Sequence, residues 1–190
     1  DAASAFGALY DGMPIGFGGD MTCFSFQAIK PLTCGDGGRL LLGGEHLDDR
    51  EKDARLRRWY GLDRTKGQSM RCIQDPPVVG WKFHMNDVAA SIGLGNLELA
   101  KANVMKAEHN AYLLEAAILK LGPKIQAVES VANAVPSYWV FGLLVDSPEA
   151  FNKHMADKGI EASAVHERND SKTIFAGLKR PLPGVDEFYK

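Results

Sequence analysis

The sequence has few cysteines, no long hydrophobic run and no excess of either charge. No apolar stretch approaches the ~20 residues that a membrane-spanning helix needs. With 22 Lys and Arg against 24 Asp and Glu, the net charge of −2 gives no electrostatic reason to expect nucleic acid or an acidic membrane as a partner. The three cysteines, Cys23, Cys34 and Cys72, have no CxxC spacing. Neither a disulfide framework nor a metal site is therefore expected, and a reducing cytoplasm is the predicted location.

The composition that remains is typical of a globular protein. Hydrophobic residues make up 45% and charged residues 24% of the 190 positions, values that exclude disordered and fibrous classes. This length suffices for one sizeable domain, alone or with a small second one. The sequence does not open on Met, and Asp1 already lies in a pattern typical of a strand exit. We therefore expect the chain to be the middle and later part of a longer protein.

The first part of the chain alternates short apolar runs with glycine-rich turns. Residues 21–26 and 39–42 have strand character, and Gly and Asp at 35–38 predict a turn between them. Residues 45–60 are charged, lack Pro and carry no Gly, so they predict a surface helix. Strands that alternate with helices favour an α/β architecture with a largely parallel sheet.

The second half contains the longest helical signal. Apolar residues recur at helical spacing over residues 87–121, and Gly93 and Gly95 predict a bend or a break near its start. Residues 138–145 and 160–165 have strand character on either side of a helix that follows Ser147. These elements predict a small α+β lobe after the long helix. We expect domains at 1–80, 81–121 and 122–190.

Lys30 is the first candidate for chemistry. It lies between an apolar strand and a glycine-rich turn, with no acidic residue within four positions on either side. A lysine desolvated in such a place has a lowered pKa and a nucleophilic amine, which a Schiff base with pyridoxal phosphate requires. Local physics alone leaves open that Lys30 is a solvated turn residue.

Two further residues have side chains suited to the same chemistry. Ser25 lies five positions before Lys30, and its hydroxyl can donate a hydrogen bond to a phosphate. Asp1 is followed by small residues, which permit the close approach of a flat ring. The carboxylate of Asp1 would keep a nitrogen of that ring protonated. Taken singly, Ser25 also fits a strand-end serine and Asp1 a helix or turn cap.

Several motifs, in order along the chain, together resemble the DegT/DnrJ/EryC1/StrS family of pyridoxal-phosphate-dependent nucleotide-sugar aminotransferases. They are Asp1-Ala2-Ala3, Gly19-Asp20, residues 23–26 with Lys30, residues 35–38, residues 80–94 and residues 165–170. The resemblance implies the type I fold of aspartate aminotransferase, in part: the later portion of a large α/β domain, a linking helix and a small, incomplete α+β domain.

The resemblance also implies a role for each matching residue. Lys30 would hold pyridoxal 5'-phosphate and move the substrate proton, Asp1 would pair with the pyridine nitrogen, and Ser25 would bind the phosphate. The segment with Lys82 and His84 would reach the cofactor phosphate of a neighbouring subunit, where relatives commonly have asparagine. A homodimer is therefore implied.

Ser4 departs from the family pattern, and the motif that contains His166 and Arg168 is less specific for the family. Ser4 stands where many relatives have His or Gln near the cofactor or the substrate, so a weaker or water-mediated contact is expected there. His166 and Arg168 could face the phosphate of a nucleotide sugar, since Arg suits bidentate phosphate contacts. A polar loop explains His166 and Arg168 equally well.

The implied reaction is transamination of a nucleotide-linked keto-deoxy sugar with glutamate as the amino donor, for amino sugars of polysaccharide or lipopolysaccharide. Two alternatives have the same fold. A sugar dehydratase of this kind would have histidine in place of Lys30, so Lys30 argues against it. The other is a non-catalytic relative that binds cofactor or sugar. We expect this chain alone to have an incomplete site and to be inactive.

Overall fold

The longest strands of the chain form an antiparallel hairpin. The computed structural model describes residues 1–66, 73–178 and 180–189, so Cys72 lies outside the described residues. Strands β3 (Met21–Ser25) and β4 (Gly38–Leu42) pair from Met21 opposite Leu42 to Ser25 opposite Gly38. A Cβ on Gly38 would lie 2.6 Å from the carbonyl oxygen of Phe24, so glycine is required where the strands meet. The hairpin confirms the predicted strands and turn.

Short strands elsewhere form two more small sheets. Strand β1 (Leu9–Tyr10) pairs with β2 (Met13–Pro14) and with β6 (Ala134–Val135), while β5 (Ile125–Ala127) pairs with β7 (Leu143–Val145). Within the described residues every strand pairing is antiparallel. The expected parallel pairing is therefore wrong for these residues. A parallel pair needs a crossover connection, usually a helix, and the loop of residues 26–37 between β3 and β4 contains no helix.

Helix α1 (Leu47–Arg57) is a surface helix, as predicted. No residue of α1 is buried, and the helix carries the i,i+4 ion pairs Glu51–Arg55 and Asp53–Arg57. A short 3₁₀ turn (Arg64–Lys66) follows it. Arg50 ties α1 to the hairpin, because its Nη1 donates to Asp20 Oδ1 at 3.2 Å and to Gly43 O at 2.8 Å.

Helix α2 (Asp87–Ile118) runs without a break, so the chain does not divide into two helices at its glycines. One face of α2 contacts the part of the chain around Lys30. Gly93 faces Cys34, Asn96 Nδ2 donates to Thr33 O at 3.0 Å, and Val104 faces Gly7. Because Gly93 has no Cβ, the helix can approach Cys34 closely.

The chain divides into two compact units. Residues 1–117 and 129–141 form the first unit, and residues 118–128 and 142–190 form the second. The expected division at residues 80 and 121 remains a prediction for the whole protein. Within the described residues, no helix combines the length and the apolar character that crossing a membrane requires.

The second unit differs from the sequence prediction in its strands. Helix α3 (Pro148–Asp157) begins after Ser147, and Gly159, with φ of 73°, provides the left-handed residue after it, as predicted. Only Leu143–Val145 of the expected strand at 138–145 is extended in a sheet, and residues 160–165 form no strand. Two 3₁₀ turns (Asn169–Ser171 and Thr173–Leu178) and helix α4 (Pro183–Phe188) follow.

Candidate active site

The loop between β3 and β4 closes on itself and holds Lys30 at its far end. Phe26 N donates to Gly37 O at 2.8 Å and Cys34 N to Phe26 O at 3.0 Å, which cross-links the base of the loop. Lys30 N donates to Gln27 O at 2.9 Å and forms a tight turn. The backbone position of Lys30 is thus set by local hydrogen bonds.

The amine of Lys30 has two specific contacts and no carboxylate partner among the described residues. Its Nζ donates to Ser4 Oγ at 2.9 Å and lies 3.6 Å from the centre of the Trp139 ring. The residue is partly buried. The absence of a carboxylate leaves the amine available to an added ligand.

The start of the chain runs beside the end of β3. Ala2 N donates to Cys23 O at 2.8 Å, which places residues 1–4 next to the strand that ends at Ser25. The exposed Asp1 carboxylate accepts from Ala3 N at 2.8 Å, and the Ser25 hydroxyl accepts from Gln27 N at 3.3 Å. Both groups keep further capacity for hydrogen bonds. Residues 1–4 therefore run from beside β3 to the Lys30 amine, which Ser4 contacts.

Residues 137–139 form part of this site, and the sequence analysis missed them. Ser137 is buried, and its Oγ donates to Ser4 O at 3.4 Å. Trp139 Nε1 donates to Ile29 O at 2.9 Å, from a position 110 residues further along the chain. A run of aromatic residues is typical of a core strand, and only the folded chain brings Trp139 to Lys30.

Tyr138 contacts helix α2. Its hydroxyl donates to Glu115 Oε1 at 2.9 Å. Burial raises the pKa of the Tyr138 hydroxyl above its ordinary value, and the hydrogen bond to Glu115 raises it further. The residue has φ of 46°, which is uncommon for a bulky side chain.

Lys82 and His84 lie at the end of α1, and within the described residues neither contacts Lys30. Lys82 Nζ donates to His84 O at 2.7 Å and lies 4.7 Å from the centre of the Trp59 ring. His84 meets Trp59 edge to face, with the ring centres 5.4 Å apart. A cavity of about 620 Å³ beside them is lined by Trp59, His84 and charged residues of α1 and the 3₁₀ turn.

His166 and Arg168 belong to the second unit. The side chain of His166 is exposed, and its carbonyl accepts from the Tyr189 hydroxyl at 3.0 Å. Arg168 forms a bidentate pair with Asp170, at 2.9 and 2.7 Å, and a second ion pair with Asp186 at 2.7 Å. The hydrogen bond to Asp170, followed by that to Asp186, raises the pKa of the Arg168 guanidinium.

These pairs hold the loop that follows residue 165 against α4. A phosphate would have to displace at least one of the two carboxylates to reach the guanidinium in a bidentate manner. A cavity of about 1160 Å³ is lined by His166, Arg168 and Lys172 among others, whereas Lys30 lines neither this cavity nor that beside Trp59.

The arrangement around Lys30 is suited to amine chemistry. A primary amine with no carboxylate partner can attack a carbonyl carbon and can carry a proton. The nearby hydroxyls and the Asp1 carboxylate can orient a polar ligand without forming a metal centre. The described contacts of Lys30 therefore leave its amine available for such a reaction.

Comparison with proteins of known sequence finds relatives whose names refer to amino-sugar synthesis. GDP-perosamine synthase of Escherichia coli O157:H7 is 29% identical over 170 residues, which are 87% of this chain and 43% of that protein. The UDP-4-amino-4,6-dideoxy-N-acetyl-beta-L-altrosamine transaminase of Campylobacter jejuni serotype O:2 is 31% identical over 111 residues, which are 58% of this chain and 28% of that protein. The chain spans less than half the length of these relatives.

Solved structures agree with this comparison. AtS13 from Actinomadura melliaura superposes with a TM-score of 0.88 and 40% identity over 100% of this chain and 49% of its own. The sugar aminotransferase CalS13 from Micromonospora echinospora has a TM-score of 0.85 and 33% identity, over 98% of this chain and 49% of its own. The fold is thus that of part of a sugar aminotransferase, as expected. Since the model of the DegT/DnrJ/EryC1/StrS aminotransferase family matches residues 1–180, the chain belongs to that family.

Proposed function

We propose that this protein is a pyridoxal-phosphate-dependent aminotransferase that transfers an amino group, with glutamate as donor, to a keto sugar carried on a nucleotide. The main support for this proposal is the Lys30 amine, which has no carboxylate partner among the described residues. Relatives named as a GDP-perosamine synthase and as a UDP-amino-sugar transaminase support the substrate class. The product would be an amino sugar of a surface polysaccharide or lipopolysaccharide.

The residues around Lys30 fit pyridoxal 5'-phosphate. The cofactor needs an amine for its aldehyde, a carboxylate for its ring nitrogen and hydrogen-bond donors for its phosphate. Lys30 supplies the amine, Asp1 the carboxylate and Ser25 a hydroxyl, and Asp1 is followed by two small residues, of which Ala2 is 4% exposed. When bound, the cofactor supplies an electron sink for the carbon that loses its proton.

In this scheme the side chains of the chain itself have separate tasks. Lys30 removes a proton from a substrate carbon and delivers it to an acceptor carbon, so a single amine serves both halves of a ping-pong cycle. Asp1 holds the ring nitrogen in its protonated form, and Ser25 helps to fix the phosphate. Ser4, expected near the cofactor or the substrate, contacts the Lys30 amine directly at 2.9 Å.

Lys82 and His84 are proposed to act in the site of a second subunit. Their location at the end of α1, with no contact to Lys30 of the same chain among the described residues, supports that role. The protein would then be a homodimer with shared sites. Cys23 and Cys34 are free thiols, which supports a reducing, cytoplasmic location.

His166 and Arg168 are proposed to face the nucleotide-sugar phosphate. The exposed imidazole of His166 is available for this contact. Arg168 can take part only if the phosphate replaces Asp170 or Asp186, because both carboxylates already occupy its guanidinium.

Trapping of the cofactor tests the proposal. The full-length protein is mixed with pyridoxal phosphate, reduced with borohydride and digested, and the labelled peptide is identified by mass spectrometry. We expect the label on Lys30, its loss in Lys30→Ala and its retention in Lys101→Ala, an exposed lysine of α2 paired with Glu98. A screen of nucleotide keto sugars with glutamate follows.

Each alternative predicts a different result. A dehydratase would consume the keto sugar without glutamate, and a non-catalytic relative would be labelled without turning over any sugar. If Lys30→Ala were labelled as strongly as the wild type, the assignment of Lys30 would be wrong.

A further inference from the structure

Residues 137–139, the Trp139 strap, form hydrogen bonds with two backbone carbonyls near Lys30. Ser137 Oγ donates to the carbonyl of Ser4, whose hydroxyl in turn accepts from the Lys30 amine. The Trp139 indole nitrogen donates to the carbonyl of Ile29, the residue before Lys30. The strap therefore holds the backbone on both sides of the Lys30 amine.

The conformation of Tyr138 sets the direction of the strap. Its φ of 46° lies in the left-handed region, which a bulky residue adopts only when its surroundings hold it there. The hydrogen bond from the Tyr138 hydroxyl to Glu115 of α2 supplies such an anchor. Tyr138 is thus fixed on the helix while Trp139 turns its ring to Lys30.

The Trp139 ring offers a specific environment to the lysine. The face of an indole attracts an ammonium ion through the ring quadrupole, and it gives a neutral amine no comparable attraction. Lys30 Nζ lies 3.6 Å from the ring centre and also donates to Ser4 Oγ at 2.9 Å. The charged amine therefore contacts a ring face and a hydroxyl oxygen. Among the described residues, no carboxylate contacts it.

We propose that Trp139 is a positioning residue that, together with Ser4, holds the protonated Lys30 amine between successive proton transfers. The proposal rests on the proposed function, in which Lys30 is the amine that carries the proton. The amine gains one proton from a carbon, becomes an ammonium ion, and returns to the neutral amine when it delivers that proton. The Trp139 ring and the Ser4 oxygen hold the amine in place while it is an ammonium ion.

Competitive acetylation of the full-length, cofactor-free protein tests this role. Only the neutral amine reacts, so the rate at Lys30 relative to Lys101 reports how strongly the charged form is held. In Trp139→Leu we expect this ratio to rise about two- to fivefold, the factor that corresponds to an exposed cation–π contact. In Trp139→Phe the ratio should stay near the wild-type value, because the aromatic face remains although the indole hydrogen bond to Ile29 is lost.

Two outcomes overturn the proposal. One is a wild-type ratio in Trp139→Leu, and the other is a Trp139→Phe variant that behaves like Trp139→Leu, which would assign the effect to the indole hydrogen bond. If Trp139→Leu fails to fold, Ser4→Ala serves as the second variant, and a ratio that does not rise there contradicts the proposal.

Borohydride trapping of pyridoxal phosphate on the wild-type protein separates this proposal from the proposed function. Absence of label on Lys30 refutes the function itself. Label on Lys30 with an unchanged acetylation ratio in the variants refutes only the role of Trp139.

Discussion

At the scale of single residues, the two described contacts of the Lys30 amine are with uncharged groups. Ser4 contributes a hydroxyl oxygen and Trp139 an aromatic face, and both contacts leave the amine free of an ion pair within the described part of the chain. A carboxylate in their place would hold the ammonium form more strongly and oppose nucleophilic attack.

Tyr138 leads to a prediction about pH and stability. Its pKa is raised in the folded state, chiefly by burial and then by the hydrogen bond to Glu115. The folded state therefore favours the neutral phenol, and this stabilisation is fully present below the unfolded pKa of about 10. It is lost as the pH rises through the higher, folded-state pKa.

Urea unfolding of the wild type and of Tyr138→Phe at a series of alkaline pH values measures this effect. We expect the free energy of unfolding of the wild type to fall more steeply above about pH 10 than that of Tyr138→Phe, which has no phenol to ionise at position 138. Parallel curves for the two proteins would mean that ionisation of Tyr138 is not linked to folding.

At the scale of elements, helix α2 organises the site. Gly93, Asn96 and Val104 contact residues near Lys30 or the start of the chain, and Glu115 anchors Tyr138. These positions fall on one face of an α-helix at 3.6 residues per turn. A single continuous helix thus contacts both the Lys30 loop and the Trp139 strap.

The two glycines near the start of α2 provide a matched pair of substitutions. A Cβ on Gly95 would meet nothing within 4 Å, whereas one on Gly93 would lie 3.3 Å from Cys34 Cβ. Gly95→Ala is therefore expected to raise the free energy of unfolding by roughly 0.5–1 kcal/mol through helix propensity alone. Gly93→Ala gains the same propensity but must move Cys34, so its gain should be smaller or reversed.

Urea unfolding of both variants decides between these expectations. Equal stabilisation by Gly93→Ala and Gly95→Ala would mean that α2 does not approach Cys34 as closely as the structure has it. The labelling of Lys30 by pyridoxal phosphate should change in Gly93→Ala only, because Cys34 belongs to the same loop as Lys30.

At the scale of the whole molecule, the proposed division of labour between two subunits can be tested with hybrids. Lys30→Ala removes the amine, and a Lys82→Ala, His84→Ala double variant removes the groups proposed to act in the neighbouring site. If these groups act across a dimer interface, each variant alone is inactive. A mixed dimer then contains one intact site.

Random mixing of the two variants should restore about one quarter of the wild-type transaminase activity, since half of the dimers are hybrids with one working site of two. Activity after joint refolding, compared with each variant refolded alone, gives the measurement. An inactive mixture would show that Lys30 and the Lys82–His84 groups must be in the same chain. A fully active double variant would show that Lys82 and His84 are dispensable.

Helices and turns were predicted well because the signals for them are local. The charged helix α1, the long helix α2 and the left-handed Gly159 follow from residues a few positions apart. The strand expected at 160–165 is absent because a strand requires a hydrogen-bonding partner, and no local pattern specifies one. The same limitation explains the mistaken expectation of parallel pairing.

The sequence by itself determined the chemical groups available and their order: the amine of Lys30, the carboxylate of Asp1 and the hydroxyl of Ser25, within motifs that resemble one family. Only the tertiary structure decided which neighbours these groups have. It brought Trp139 onto the Lys30 amine and occupied Arg168 with Asp170 and Asp186. Contacts such as that of Trp139 depend on the packing of segments far apart in the chain, and composition, spacing and periodicity carry no record of that packing.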